Sequence, residues 1–176
     1  MITPDMSTIH YFAYGSNLHP VRLKQRIESA RLVGTTVISG YELSFTKRGQ
    51  DSSGKGHINP VQNQGLVYGA VYQLATEHKA DLDRIEGPGY GQTLLELEVN
   101  CENYSCFAYI GLATHLDESL RPFHWYKSLI VLGAEFHGFP AHYIQSLEQT
   151  PSMEDPDLHR RQRHARLISN MKNYGQ

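Results

Sequence analysis

Apolar positions in the first two thirds of the chain repeat at the spacing of β-strands. A strict period of two is clearest at Leu66, Tyr68, Ala70, Tyr72 and Leu74. This pattern predicts a strand with one buried face. Similar runs predict further strands at residues 9–14, 33–38, 41–45, 95–99 and 106–110.

Turn residues suggest how these strands connect. Residues 33–38 and 41–45 read as a strand pair around Ser39-Gly40, and the last two strands can pair through a turn near Asn103. Residues 47–64 are polar and glycine-rich, which predicts a long mobile loop.

Helical spacing dominates the final third. Trp125, Leu129 and Leu132 repeat at helical intervals, and Gly138-Phe139-Pro140 ends this helix and starts another. Short helices are also predicted from Pro20 to about Ile27 and over 77–85. Strands followed by helices favour an α+β class, or a helix-decorated barrel, over a parallel βαβ sheet. We expect one domain over residues 1–176, with 151–176 as a basic helical extension.

Composition excludes several classes of protein. The chain has 176 residues, 40% of them hydrophobic, and a net charge of -2. This balance gives no electrostatic case for nucleic acid or an anionic membrane. The apolar runs are too short to span a bilayer, and the N-terminus lacks the pattern of a signal peptide. Cys101 and Cys106 are expected to be buried, reduced thiols in a cytoplasmic protein.

Several apparent motifs fail on their spacing. Residues 49–56 resemble a phosphate-binding P-loop, but Gly56 stands where a Ser or Thr must hold magnesium. Gly87, Gly89 and Gly91 follow a helix rather than a strand, so they are not a dinucleotide fingerprint.

Metal, nucleophile and nucleic-acid motifs are also missing. The ten histidines include no pair at the three- or four-residue spacing of a helical metal site. There is no Gly-x-Ser-x-Gly elbow around Ser16. A basic cluster in the tail, without interleaved aromatic residues, favours a solvated helix face; it comprises Arg160, Arg161, Arg163 and Arg166.

The turn Gly15-Ser16-Asn17 is the first candidate for chemistry. It follows the first predicted strand and precedes a helix. Glycine allows a sharp turn and the close approach of a ligand. Free N–H groups beside a helix N-terminus would suit a carboxylate or an oxyanion. From residue types alone, a plain strand-turn-helix with Ser16 or Asn17 as the helix cap is the favoured interpretation.

Glu86 is the second candidate. It ends a predicted short helix against the turn Gly87-Pro88-Gly89. A carboxylate at a helix C-terminus faces the negative end of the dipole, which raises its pKa and suits a general base. An exposed glutamate balanced by Arg84 is the alternative interpretation.

Taken together, these features resemble the γ-glutamylcyclotransferases. The resemblance begins at Tyr11-Phe12-Ala13-Tyr14-Gly15-Ser16-Asn17-Leu18 and continues through Gly65–Leu74 and Leu82-Asp83-Arg84-Ile85-Glu86-Gly87. It extends to Tyr126-Lys127-Ser128-Leu129-Ile130-Val131-Leu132-Gly133-Ala134 and Gly138-Phe139-Pro140. The family implies a mixed β-barrel with surrounding helices. It also implies cytoplasmic, metal-independent formation of 5-oxoproline from γ-glutamyl amino acids, as in glutathione metabolism.

The resemblance also assigns roles to residues. Glu86 would be the general base and acid. Separately from the resemblance, Tyr90, in the Gly87–Gln92 loop beside Glu86, is a candidate specificity residue that would set which leaving group fits. Substrate would be bound by Tyr11, Phe12, Ala13, Tyr14, Gly15, Ser16, Asn17, Leu18 and Tyr126. In this reaction the substrate's own α-amine attacks its γ-carbonyl, so the family implies no cofactor, no metal and no enzyme nucleophile. The partner would be a small γ-glutamyl molecule rather than nucleic acid or membrane, and a homodimer is left open.

Two other functions stay open at this point. The substrate could be a γ-glutamylamine or another γ-glutamyl conjugate. The chain could also be a non-catalytic binding module that has kept the fold.

Overall fold

The computed structural model describes residues 7–175, which form a mixed β-sheet flanked by helices. The strands are β1 (Thr8–Ala13), β2 (Arg31–Ser39), β3 (Tyr41–Arg48), β4 (Gly54–Pro60), β5 (Leu66–Ala75), β6 (Tyr90–Val99) and β7 (Glu102–Gly111). The helices are α1 (Pro20–Arg26), α2 (Lys79–Glu86), α3 (His124–Phe136), α4 (Ala141–Gln149) and α5 (Leu158–Lys172). The predicted α+β class is therefore confirmed.

The main sheet has five strands in the order β2-β5-β1-β7-β6. Only the central pair, β1 and β7, runs parallel, while the neighbouring pairs are antiparallel. The sheet curls into a half-barrel, and β3 and β4 form a separate two-stranded sheet. The predicted pairing of β6 with β7 is confirmed, although the turn between them lies at residues 100–101 rather than near Asn103.

Two predictions about the connections are wrong. The strands on either side of Gly40 do not pair, because β2 joins β5 and β3 joins β4. Gly40 has a φ of +79°, which lets the chain leave one sheet for the other. The expected loop over 47–64 contains β4, with Gly54 and His57 buried.

The central strand β1 is buried on both faces. Tyr11 and Ala13 pack in the cluster that the helices cover, whereas Phe12 and Tyr14 pack in a second cluster on the opposite face. This explains the near-continuous apolar character of this segment, because a strand covered on both sides needs no polar face. It also fixes the position of the turn at residues 15–18.

The cysteine prediction is half right. Cys106 is buried in the sheet, but Cys101 lies exposed in the turn between β6 and β7. Both are free thiols, and burial raises the pKa of Cys106 to about 12. None of the helices between residues 7 and 175 is long and apolar enough to cross a bilayer.

Candidate active site

The turn after β1 is closed by a hydrogen bond from the Leu18 N–H to the Gly15 carbonyl, 3.0 Å long. Helix α1 starts only at Pro20, and its cap is His19, whose Nδ1 accepts from the Val21 N–H at 3.1 Å. Neither Ser16 nor Asn17 is therefore the helix cap. The Asn17 side chain is instead free to make contacts inside the protein.

Glu86 is the last residue of α2. Gly87 ends the helix with a φ of +82°, a conformation that favours glycine. The Glu86 side chain is only 14% exposed, and its Oε1 accepts a hydrogen bond of 2.8 Å from Asn17 Nδ2. The alternative of an exposed glutamate balanced by Arg84 fails, because Arg84 pairs with Asp81.

The Asn17 amide links Glu86 to two further groups. Its Nδ2 also lies 3.2 Å from the Tyr11 hydroxyl oxygen. Its Oδ1 accepts a hydrogen bond of 3.0 Å from Arg26 Nη1, which itself lies 3.6 Å from Glu86 Oε1. With 2% of its surface exposed, Asn17 holds the carboxylate and the guanidinium in a fixed relationship.

The pKa of Glu86 is raised above its ordinary value. Burial is the main cause, because a charged carboxylate loses hydration. The charge of Arg26, the hydrogen bond from Asn17 and the charges of Lys47 and Arg22 oppose this effect. A raised pKa suits a carboxylate that both accepts and returns a proton.

Tyr126 closes the opposite side of the site. Its hydroxyl oxygen accepts a hydrogen bond of 2.9 Å from the Gly56 N–H, and the Tyr90 hydroxyl donates to the Gly56 carbonyl at 2.7 Å. Burial raises the pKa of Tyr126 to about 12, so its hydroxyl stays protonated at neutral pH. A β-carbon at Gly56 would lie 3.4 Å from that hydroxyl oxygen and 3.7 Å from the Gly15 Cα. Strand β4 thus passes close to the turn.

These groups surround a small niche that is continuous with a larger cavity. The niche holds about 20 Å³ between Gly15, Glu86 and Tyr126. The cavity holds about 590 Å³, and it shares Ser16, Glu86, Tyr90 and Tyr126 with the niche. The carboxylate of Glu86 therefore faces the turn across a pocket, and the pocket opens outward.

The structure brings most of the sequence candidates together. The niche is lined by Tyr11, Tyr14, Gly15, Ser16, Asn17, Glu86, Tyr90 and Tyr126. Phe12, Ala13 and Leu18 are fully buried in the packed interior and do not line the niche.

Sequence reasoning missed several lining residues. Gly56 lies in the supposed loop, and Tyr109 was read only as part of a strand. Arg22 and Arg26 lie four residues apart on α1, a spacing that places both on one helix face. This spacing is the feature of the sequence that could have indicated a pair of arginines facing one site.

The tail contributes to the site as well. Helix α5 packs on α3 through Leu167 and Met171. Its Arg160 and His164 line the large cavity. The prediction of a wholly solvated basic face is therefore wrong for Arg160.

The described residues contain no candidate metal centre. Nowhere between residues 7 and 175 do three His, Cys, Asp or Glu side chains gather closely enough to hold an ion. The fold and the site define a small α+β protein with a buried carboxylate, Glu86, that lines both the niche and the larger cavity.

Comparison with known proteins identifies the family. The AIG2-like family matches residues 66–147. Human γ-glutamylcyclotransferase is 31% identical over 153 residues, which cover 82% of this chain and 80% of the human one. The bovine enzyme is 29% identical, with 81% and 79% covered. A solved γ-glutamyl cyclotransferase superposes with a TM-score of 0.78 at 20% identity, covering 93% of this chain and 99% of that one. The chain belongs to the γ-glutamylcyclotransferase family.

Proposed function

We propose that this protein is a γ-glutamylcyclotransferase that converts γ-glutamyl amino acids into 5-oxoproline and a free amino acid. The observation that carries the proposal is the position of Glu86, which faces the turn at Gly15 and Ser16 across a niche. The family resemblance supplies the reaction, and this geometry offers the groups that the reaction needs.

In this reaction the substrate's α-nitrogen forms a bond to the γ-carbonyl carbon, and the amide bond to the leaving nitrogen breaks. The α-ammonium loses two protons as it becomes the lactam N–H, and the leaving nitrogen gains two as it departs as an ammonium. In the proposal, Glu86 carries protons from the first nitrogen to the second, one at a time, which is worth about 10²- to 10⁴-fold in rate. The raised pKa of Glu86 suits a group that must both take and return a proton. The nucleophile belongs to the substrate, so this route calls for no metal or cofactor.

Backbone N–H groups of the turn would hold the substrate. Among residues 7–175, no hydrogen-bond acceptor is found for the N–H of Ser16 or Asn17. Such free donors suit the substrate carboxylate or the oxyanion that develops on the reacting carbonyl. The Tyr126 hydroxyl, on the other side of the niche, would orient the substrate by a further hydrogen bond. Folding the substrate into its attacking conformer is itself a large source of rate.

Two free cysteines, one of them exposed, fit a reducing cytoplasm as the place of this activity. The proposed partner is a small molecule, with no call for a membrane or nucleic acid.

The test is turnover of γ-glutamyl-alanine by the purified protein, with 5-oxoproline measured by chromatography. We expect Glu86→Gln to lower kcat by about 10²-fold or more with the fold retained. Glu98→Gln, on the exposed side of β6, is the matched control and should be fully active. Full activity of Glu86→Gln would refute the mechanism. Binding of 5-oxoproline without turnover of any γ-glutamyl compound would instead indicate a binding module.

A further inference from the structure

The large cavity beside Glu86 is strongly cationic. Only two carboxylates line it, those of Asp51 and Glu86. Six basic side chains line it as well, namely Arg22, Arg26, Lys47, Arg48, Lys55 and Arg160. This excess of positive charge lies where a substrate would extend beyond the niche.

Four of these six cations already have an anionic partner. The pairs are Arg26 with Glu86, Arg48 with Asp117, Lys55 with Asp51 and Arg160 with Asp155. Lys47 is 6% exposed and stacks its ammonium 4.3 Å from the centre of the Tyr90 ring. A cation–π contact compensates only part of the hydration that a buried ammonium loses.

Arg22 forms no hydrogen bond and no ion pair within the described part of the chain, although its charge acts on Glu86. Its Nε is sealed from solvent without an acceptor. Burial, and then the charge of Arg26, lowers the pKa of Arg22 to about 9, so the guanidinium stays charged at neutral pH. A half-buried charge without a hydrogen-bonded partner is costly, and an anion of a bound ligand would offset that cost.

The position of Arg22 indicates which part of a substrate it meets. Arg22 lines the large cavity but not the niche. Trp125 and His164, which belong to α3 and α5, line the same cavity. The niche of about 20 Å³ has no room for a leaving group as well as the reacting atoms. A leaving group must therefore extend into the cavity that Arg22 lines.

We propose that Arg22 binds a carboxylate of the leaving group, so that the protein selects γ-glutamyl compounds whose leaving amine is anionic. This inference rests on the proposed function. A guanidinium binds carboxylate through two parallel hydrogen bonds, which makes Arg22 suited to the role. Lys47 supplies a second cation in the same cavity, so a leaving group with two carboxylates is the preferred substrate.

The experiment compares three substrates that differ in the leaving group's charge. These are γ-glutamyl-ethylamine with no carboxylate, γ-glutamyl-alanine with one and γ-glutamyl-glutamate with two. For the wild-type protein, kcat/KM should rise in that order. Arg22→Gln should lower kcat/KM for γ-glutamyl-alanine by about 10- to 100-fold, the usual effect of losing a charged hydrogen bond. The loss for γ-glutamyl-ethylamine should be about 10-fold smaller than the loss for γ-glutamyl-alanine, because no bond to that leaving group is lost. Any effect of the Arg22 charge on Glu86 is common to both substrates.

Arg163→Gln is the matched control, since Arg163 is an exposed guanidinium on α5 outside the cavity. This substitution should leave kcat/KM unchanged for all three substrates. The inference is wrong if Arg22→Gln lowers kcat/KM equally for all three substrates, since Arg22 would then bind the glutamyl half that they share. Equal wild-type kcat/KM for the ethylamine and alanine compounds would also overturn it, without depending on any variant. If none of the three substrates yields 5-oxoproline with the wild-type protein, the proposed function is refuted, and this inference with it.

Discussion

Asn17 Nδ2 lies 2.8 Å from Glu86 Oε1 and joins two segments that are 69 residues apart. The same amide contacts Tyr11 and accepts from Arg26. The turn after β1 and the end of α2 therefore form one hydrogen-bonded unit. Asn17 is a positioning residue, because it orients the proposed proton carrier and lowers its pKa through the hydrogen bond.

Replacing Asn17 by Ala should change the pH dependence of the reaction. The Asn17 hydrogen bond lowers the pKa of Glu86, so its loss raises that pKa further. The acidic limb of the kcat/KM profile should move to higher pH. At neutral pH, kcat/KM should fall about 10- to 100-fold, since a hydrogen bond to a charged group is lost.

The measurement is a pH–rate profile for wild type, Asn17→Ala and the control Asn170→Ala. Asn170 is an exposed amide on α5, so its removal should leave the profile unchanged. A reduced rate with an unmoved acidic limb would show that Asn17 does not act through Glu86.

The turn and the glutamate were found from sequence because their residues are local and distinctive. Strand β4 was not, and the reason is physical. A β-carbon at Gly54 would lie 2.1 Å from the Phe45 carbonyl oxygen, so only glycine fits this buried position. His57 can be buried because its Nδ1 accepts a hydrogen bond of 2.9 Å from the Gly111 N–H. Glycine and a satisfied histidine carry no hydrophobic signal, so a buried strand looked like a polar loop.

The pairing of strands and the role of Arg22 depend on tertiary contacts. Alternation identifies β2 and β3 as strands but does not specify their partners. Arg22 looks like an ordinary helix cation in sequence, and only the structure shows that it lines a cavity unpaired. The tail was likewise read as an extension because its contacts with Trp125 join distant parts of the chain.

Gly56→Ala should reduce activity while leaving the fold intact. The added methyl would lie 3.4 Å from the Tyr126 hydroxyl oxygen, a tight but tolerable contact. It would also project into the space between Gly56 and Gly15, where the niche holds only about 20 Å³. We expect the melting temperature to change little and kcat/KM for γ-glutamyl-alanine to fall about 10-fold or more, as expected for a slightly misplaced substrate. Unchanged kcat/KM with an unchanged fold would mean that the substrate does not use the niche.

Glu86→Gln should stabilise the protein at neutral pH. The pKa of Glu86 is raised in the fold above its ordinary value of 4.5. Its contribution to stability is therefore full below the unfolded pKa and is lost as pH rises through the folded pKa. Gln cannot ionise and avoids this loss. Melting curves should show a higher melting temperature for Glu86→Gln than for wild type at pH 7, and no difference at about pH 4.

Glu98→Gln again serves as the control, because the carboxylate of Glu98 is exposed and its hydration changes little on folding. An equal gain for both variants at pH 7 would indicate a general charge effect. A loss of stability for Glu86→Gln would show that the ionised carboxylate stabilises the fold after all.

Asp155 should show the opposite dependence on pH, because it anchors α5. It is 1% exposed and accepts from Arg160 Nε at 2.5 Å, Arg160 Nη2 at 2.6 Å and Trp125 Nε1 at 2.8 Å. The Arg160 hydrogen bonds are the main reason that its pKa falls to about 2, from 3.8. A shift of this size corresponds to about 2 kcal/mol of stability at neutral pH. That contribution is present above the unfolded pKa and is lost as pH falls through the folded one.

Asp155→Asn should therefore lower the free energy of unfolding by about 2 kcal/mol at pH 7, and the difference from wild type should shrink between about pH 4 and pH 2. Asp81→Asn is the control, because Asp81 forms an exposed pair with Arg84 and should change stability by less than about 1 kcal/mol. Since Arg160 and His164 line the cavity, a loosened α5 should also raise KM for γ-glutamyl-alanine. A destabilisation that persists undiminished at pH 2 would show that packing, rather than the ion pair, holds this helix in place.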